Sequence, residues 1–145
     1  MIDDSVRHRR AGMRDLRAFG HEVVAMSSYG EARQKAHGES FDAALIDLLM
    51  PAEPTTLGIQ AVVDHVGRDI GVGFPLIFEL ALCGISRIAV ATDTGHHDHP
   101  DSAIVDWFKG RGPLVVNGAK VLIMHAPMRD GAKDWVEILN RLLAI

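Results

Sequence analysis

Asp3, Asp4 and Asp47, and the run TDTGHHDHPD at 92–101, are the residues whose types could do chemistry. Three carboxylates brought together repel one another and hold their protons more tightly. A hard divalent cation such as Mg²⁺, which prefers oxygen ligands, relieves that repulsion. A metal beside a free carboxylate also suits phosphoryl transfer, where positioning and charge neutralisation do most of the catalysis. On spacing alone, a simpler account is that Asp3 and Asp4 cap a helix and Asp47 opens a turn. His96, His97 and His99, with Asp93, Asp98 and Asp101, offer good donors for zinc, nickel or iron. Adjacent histidines point in different directions, however, and no flanking ligand spacing is diagnostic. A solvated polar loop is therefore the expectation for this run.

These side chains need elements to position them. Ser5 as N-cap and Gly20 as stop predict a helix over about 6–18. HEVVAM reads as a strand, and Tyr29 to His37 as a short helix ended by Gly38. FDAALIDLL, at 41–49, has the near-continuous apolar body of a strand buried on both faces. PAEPTT is a loop, TLGIQAVVDHVGRD a helix, and Pro75 suits the first turn of PLIFELALCG. SRIAVAT and KVLIMH follow as strands, SAIVDWFKG as a helix between them, and KDWVEILNRLLAI as an amphipathic terminal helix. Asn117-Gly118 between apolar runs favours a hairpin with LVV as an antiparallel edge strand; a helix running into this Gly-Ala is the alternative. Alternating strands and helices imply a mostly parallel sheet covered on both faces, in one domain over 1–145. Such sheets bind ligands at the carboxyl ends of their strands. There lie Asp3 and Asp4, Asp47, Thr92 with Asp93, and His125.

IDDS, FDAALIDLLMP, AVATD and NGAKVLIMHAP resemble, in order and rough spacing, the receiver domain of two-component response regulators. The resemblance covers most of the chain, and its most specific parts are IDDS and Asp47-x-x-Met50-Pro51. It implies a three-layer α/β/α, flavodoxin-like (CheY-like) fold. It makes Asp47 the phosphoacceptor and Thr92 the switch hydroxyl. Asp4, Asp47 and the Leu49 carbonyl would hold a weakly bound Mg²⁺, with Asp3 acting directly or through water. It also implies a histidine kinase or phosphotransfer protein as donor and a downstream protein as target.

The chain departs from that pattern. The strand-end lysine position falls on His125, with Ala126 in place of proline, and Lys120 lies at the wrong end of the strand. An imidazole, with an ordinary pKa of about 6.5, is a poor substitute for a fixed positive charge. Asp93 adds a negative charge beside Thr92. Only Met1 and Ile2 precede the acidic pair, so the first strand is nearly absent, and the span from Asp47 to Thr92 is long. The expectation is a weak or degenerate phospho-switch that acts by protein binding. The alternative is a metal-dependent hydrolase or phosphatase using Asp and His side chains at the strand ends.

Bulk properties narrow the rest. A net charge of -4 argues against nucleic acid as partner. The longest apolar stretch is short and carries Glu79, read as a solvent-facing helix residue, so no membrane span is expected. The lone Cys83 excludes an internal disulfide, suits a reducing cytoplasm and reads as a buried, inert thiol. Arg7, Arg10, Arg14 and Arg17 recur at helical spacing, as a solvated face or a dock for an acidic partner helix. A homo-oligomer is left open.

Overall fold

The computed structural model describes residues 1–54 and 62–145, without the side chains of 62 and 63. It is mixed α/β, built on a four-stranded sheet. In chain order the elements are α1 (Val6–Ala18), α2 (Tyr29–Gly38), β1 (Ala44–Asp47), β2 (Met50–Pro51), α3 (Val62–His65), β3 (Asp69–Ile70), α4 (Gly73–Leu82), β4 (Arg87–Thr92), α5 (Ala103–Phe108), β5 (Leu114–Val116), β6 (Ala119–His125), β7 (Met128–Arg129), β8 (Ala132–Lys133) and α6 (Trp135–Leu143). The main sheet runs β1-β4-β6-β5. The first three strands are parallel, and β5 pairs antiparallel with β6. Small antiparallel pairs join β2 to β3 and β7 to β8.

The core lies on both faces of the sheet. On one face, residues of α2, α4 and α5 meet Ile46, Ile88, Val90 and Val121. On the other, Leu16 of α1 and Trp135, Ile138 and Leu142 of α6 meet Leu45, Ala89 and Ala91. The alternation of Leu45 and Ile46, or of Ala89 and Val90, between the two cores is the period of two of a strand buried on both sides. This apolar burial is the main term holding the helices to the sheet.

The first strand is, as expected, nearly absent. Ile2 alone forms parallel bridges, to Met26 on one side and Ile46 on the other. Its amide donates to the Leu45 carbonyl at 2.8 Å and its carbonyl accepts from the Asp47 amide at 2.8 Å. Those two bonds fix where Asp3 and Asp4 stand relative to Asp47. HEVVAM is not a regular strand: Met26 forms a single bridge with Ile2, and the Val24 carbonyl accepts from the Met1 amine at 2.8 Å. β1 is also shorter than the expected 41–49.

Other expectations divide. Ser5 caps α1, its hydroxyl accepting from the His8 amide, and LVV forms the antiparallel edge strand. Of the helix expected over TLGIQAVVDHVGRD only Val62–His65 is observed; its first residues, with the end of the PAEPTT loop, lie outside the described residues. The terminal helix begins at Trp135, capped by the Asp134 carboxylate, so Lys133 is a strand residue. Cys83 is half-buried, its Sγ 3.6 Å from His37 Nδ1. Glu79 pairs at the surface with Arg33. No helix among the described residues is long and apolar enough to cross a membrane.

Candidate functional site

The acidic residues do converge. Carboxylate oxygens of Asp3, Asp4 and Asp47 lie within 4.8 Å of one another at the carboxyl edge of the sheet. Asp3 and Asp47 are buried and Asp4 is exposed. Asp3 is held by the Ser5 amide, which donates to its Oδ1 at 2.8 Å. The Leu49 amide donates to Asp47 Oδ1 at 3.3 Å. Gly73 closes the floor: its amide donates to the Leu48 carbonyl, and a Cβ there would overlap the Asp47 carbonyl. Only glycine lets the start of α4 come this close to the end of β1.

The residue that sequence reasoning missed is Lys133. Its ammonium is buried, 2.5 Å from Asp47 Oδ2, 3.2 Å from Asp3 Oδ2 and 3.3 Å from Asp93 Oδ1. It arrives on a hairpin. β7 and β8 are joined by Asp130 (φ 52) and Gly131 (φ 72), the left-handed pair a tight two-residue turn requires. Two signals pointed to it: Asp130-Gly131 is a hairpin dipeptide, and Gly131-Ala132-Lys133 repeats the Gly118-Ala119-Lys120 triplet. His8 of α1 holds the hairpin's end, accepting from the Lys133 amide at Nδ1 (3.2 Å), while its Nε2 lies 3.4 Å from Asp93 Oδ2.

His125 is therefore corrected. It stands beside Thr92 in register, but its ring leaves the pocket and pairs with Asp106 at 3.4 Å. His125 continues the face of β6 that carries buried Val121 and Ile123 toward α5, but stands beyond the core and is exposed. Asp93 is not a free repulsive charge, because Lys133 and His8 flank it. Thr92 is buried at the end of β4, one residue beyond Ala91, the register partner of Asp47. Its hydroxyl accepts from the Thr94 amide at 3.1 Å.

The electrostatics follow from burial. Asp47 is pushed up to about 7, chiefly because burial disfavours its charge and secondarily by Asp3 and Asp93, against the pull of Lys133. Asp4 is raised by partial burial and by Asp3. Burial also works to raise Asp93, but Lys133, a backbone hydrogen bond and His8 outweigh it and hold the carboxyl below its usual value. Burial opposes the Lys133 charge, yet Asp47, Asp3 and Asp93 overcome it and raise the ammonium above the ordinary lysine value. Three carboxylates thus share one buried ammonium, with Asp4 beside them, and Asp3, Asp4 and Asp47 are the residues that could hold a hard dication. A separate cleft of about 340 Å³, between Val24, Phe41 and Ala43, opens among residues at the opposite ends of the strands and contains none of these acids.

The histidine run is tied down in part. His96 Nδ1 lies 2.6 Å from Asp106 Oδ2. His99 uses both ring nitrogens, one 3.0 Å from the Asp69 carbonyl and one 3.2 Å from the Asp101 amide. His97 and Asp98 are exposed.

No protein-family model, curated protein or solved structure matches the chain. Its chemistry has to be read from the pocket.

Proposed function

We propose that the chain is a receiver-like signalling module whose phosphoacceptor is Asp47. One observation carries this reading: a buried lysine ammonium, 2.5 Å from Asp47, shares the pocket with two further carboxylates able to hold Mg²⁺. The order Met26, Ile2, β1, β4, β6 supports a flavodoxin-like reading of the sheet, with the pocket at its carboxyl edge. The fixed positive charge that His125 could not provide comes from Lys133, so the reason for expecting a degenerate switch falls away. Thr92, at the end of the neighbouring strand, is the switch hydroxyl in this reading.

The chemistry is an in-line transfer. An Asp47 oxygen attacks the phosphorus of a phosphohistidine or small phosphodonor. The donor's P–N or P–O bond breaks and its electron pair leaves with the donor. Asp47 reacts as the carboxylate, so its raised pKa makes the reaction slow below about pH 7. A bound Mg²⁺ would neutralise charge on the phosphoryl oxygens. Lys133 is placed to follow those oxygens from Asp47, which loosens its hold on Asp93 and on the loop after β4. A kinase or phosphotransfer protein as donor and a second protein as target complete this reading. The hydrolase alternative would draw on histidines outside this group, since among the described residues the acidic donor group is Asp3, Asp4 and Asp47.

Incubation with acetyl phosphate or phosphoramidate and Mg²⁺ tests the reading. One phosphoryl group should appear by intact mass, disappear in Asp47→Asn, and fall at least tenfold in Asp4→Asn. No adduct with either donor, or an adduct that survives Asp47→Asn, would refute the assignment.

A further inference from the structure

Asp106 receives two histidines from different elements. His96, in the loop after β4, places Nδ1 2.6 Å from Oδ2; His125, at the end of β6, places Nε2 3.4 Å from Oδ1. The His97 ring lies 4.0 Å from that of His96, centre to centre. A tetrahedral zinc ion with bonds of about 2.0–2.1 Å separates neighbouring donor atoms by roughly 3.3–3.4 Å. The His125–Asp106 separation already has this value; as the rings stand the donors of His96 and His125 are more than 4.8 Å apart, so both rings must swing toward a shared ion. Both rings have room to move, with side chains 48% and 42% exposed. Imidazole and carboxylate together suit zinc and its late first-row neighbours, in contrast to the all-oxygen pocket at Asp47.

We infer that His96, His125 and Asp106 form a second, surface site for a divalent transition-metal ion, with His97 as a further donor. The run at 92–101 lacks ligand spacing by itself. The missing donors come from α5 and from the end of β6, which the fold brings to it. An ion here ties β6 to the loop that follows Thr92. The site stands independently of phosphorylation at Asp47.

Zinc titration of the full chain by calorimetry, at neutral pH in a weakly chelating buffer, tests it. One equivalent should bind with a micromolar or tighter Kd. His125→Ala and Asp106→Asn should each weaken it at least tenfold. His99→Ala, whose nitrogens are engaged elsewhere, and Asp4→Asn, in the acidic pocket, should leave it unchanged. Histidine ¹⁵N resonances provide a second measurement on the unmutated chain, and those of His96 and His125 should move together at one equivalent. Binding lost in Asp4→Asn but kept in His125→Ala would place the ion in the acidic pocket and overturn the site. Absence of binding, or histidine resonances that stay fixed, would do the same.

Discussion

Two hairpins in this molecule share one pattern and opposite fates. Asn117-Gly118-Ala119-Lys120 and Asp130-Gly131-Ala132-Lys133 both turn through two left-handed residues, with φ of 47° and 82° in the first and 52° and 72° in the second. Both bury the alanine. The first hairpin continues into β6, and Lys120 is exposed at the start of that strand, far along it from His125. The second is two residues a side and stops at the acidic edge, where Lys133 is buried among Asp3, Asp47 and Asp93. The turn chemistry is the same, so what a lysine does here is decided by which end of the sheet its hairpin reaches.

The largest contrast is expected from removing each cation. Lys133→Met leaves two buried carboxylates without their counter-ion, and loss of one partner from a buried pair costs about 3–5 kcal/mol. Lys120→Met at an exposed position should stay within about 0.5 kcal/mol. Urea unfolding at pH 7 without divalent ions measures both. Equal small effects would mean that Lys133 is not the pocket's counter-charge.

The sheet was legible because near-continuous apolar runs, broken by Gly and Pro, leave few alternatives. Ala44–Asp47 and Arg87–Thr92 lie inside the expected strands, and Ala119–His125 begins one residue before the expected KVLIMH. The convergence of Asp3, Asp4 and Asp47 was legible because all three stand at carboxyl ends. Lys133 was not, for a physical reason. KDWVEILNRLLAI has helical periodicity from its first residue, so the lysine reads as the exposed start of a helix. Asp134 caps that helix one residue later, its carboxylate accepting from the Glu137 amide, and the chain before it is released into the hairpin. His125 was misplaced for a related reason: register sets a residue's height in the sheet but does not say toward which neighbour a side chain at a strand end will turn.

A second effect concerns pH and concerns the Lys133 hairpin alone. Asp47 titrates near 7 in the folded chain, against an ordinary carboxylate value near 3.8 when unfolded. Between those values the folded state keeps a proton that the unfolded state has released, so stability falls as pH rises from about 4 to about 7 and the loss is complete above that. Asp47→Asn should remove this slope and stabilise the metal-free protein at pH 8, by an amount on the order of a few kcal/mol. Lys120→Met should leave the slope intact. Thermal melts at pH 5, 6, 7 and 8 would show it. A wild type more stable at pH 8 than at pH 5 once the Asp47→Asn background is subtracted would contradict the sign.

The smallest effect separates the two turns. Gly118→Ala and Gly131→Ala both force a side chain into left-handed backbone, at about 1–2 kcal/mol each. Nothing lies within 4 Å of the position a Cβ would take at Gly118, so strain is the whole cost there. At Gly131 the Arg7 guanidinium occupies that position, and Arg7 donates to the Asp130 carbonyl at 3.0 Å. Arg7 is a flexible, exposed side chain and can swing aside, so the extra cost is one hydrogen bond, about 0.5–1.5 kcal/mol. The stability difference between the two variants is therefore small. Their difference in function should be larger, because Gly131 is two residues from Lys133 and Gly118 is not. Gly131→Ala should slow modification of Asp47 by a small phosphodonor severalfold, while Gly118→Ala should leave the rate within experimental error of wild type. Intact-mass time courses at fixed Mg²⁺ distinguish them. Equal rates in both variants would show that the second hairpin anchors the fold without setting the position of its lysine.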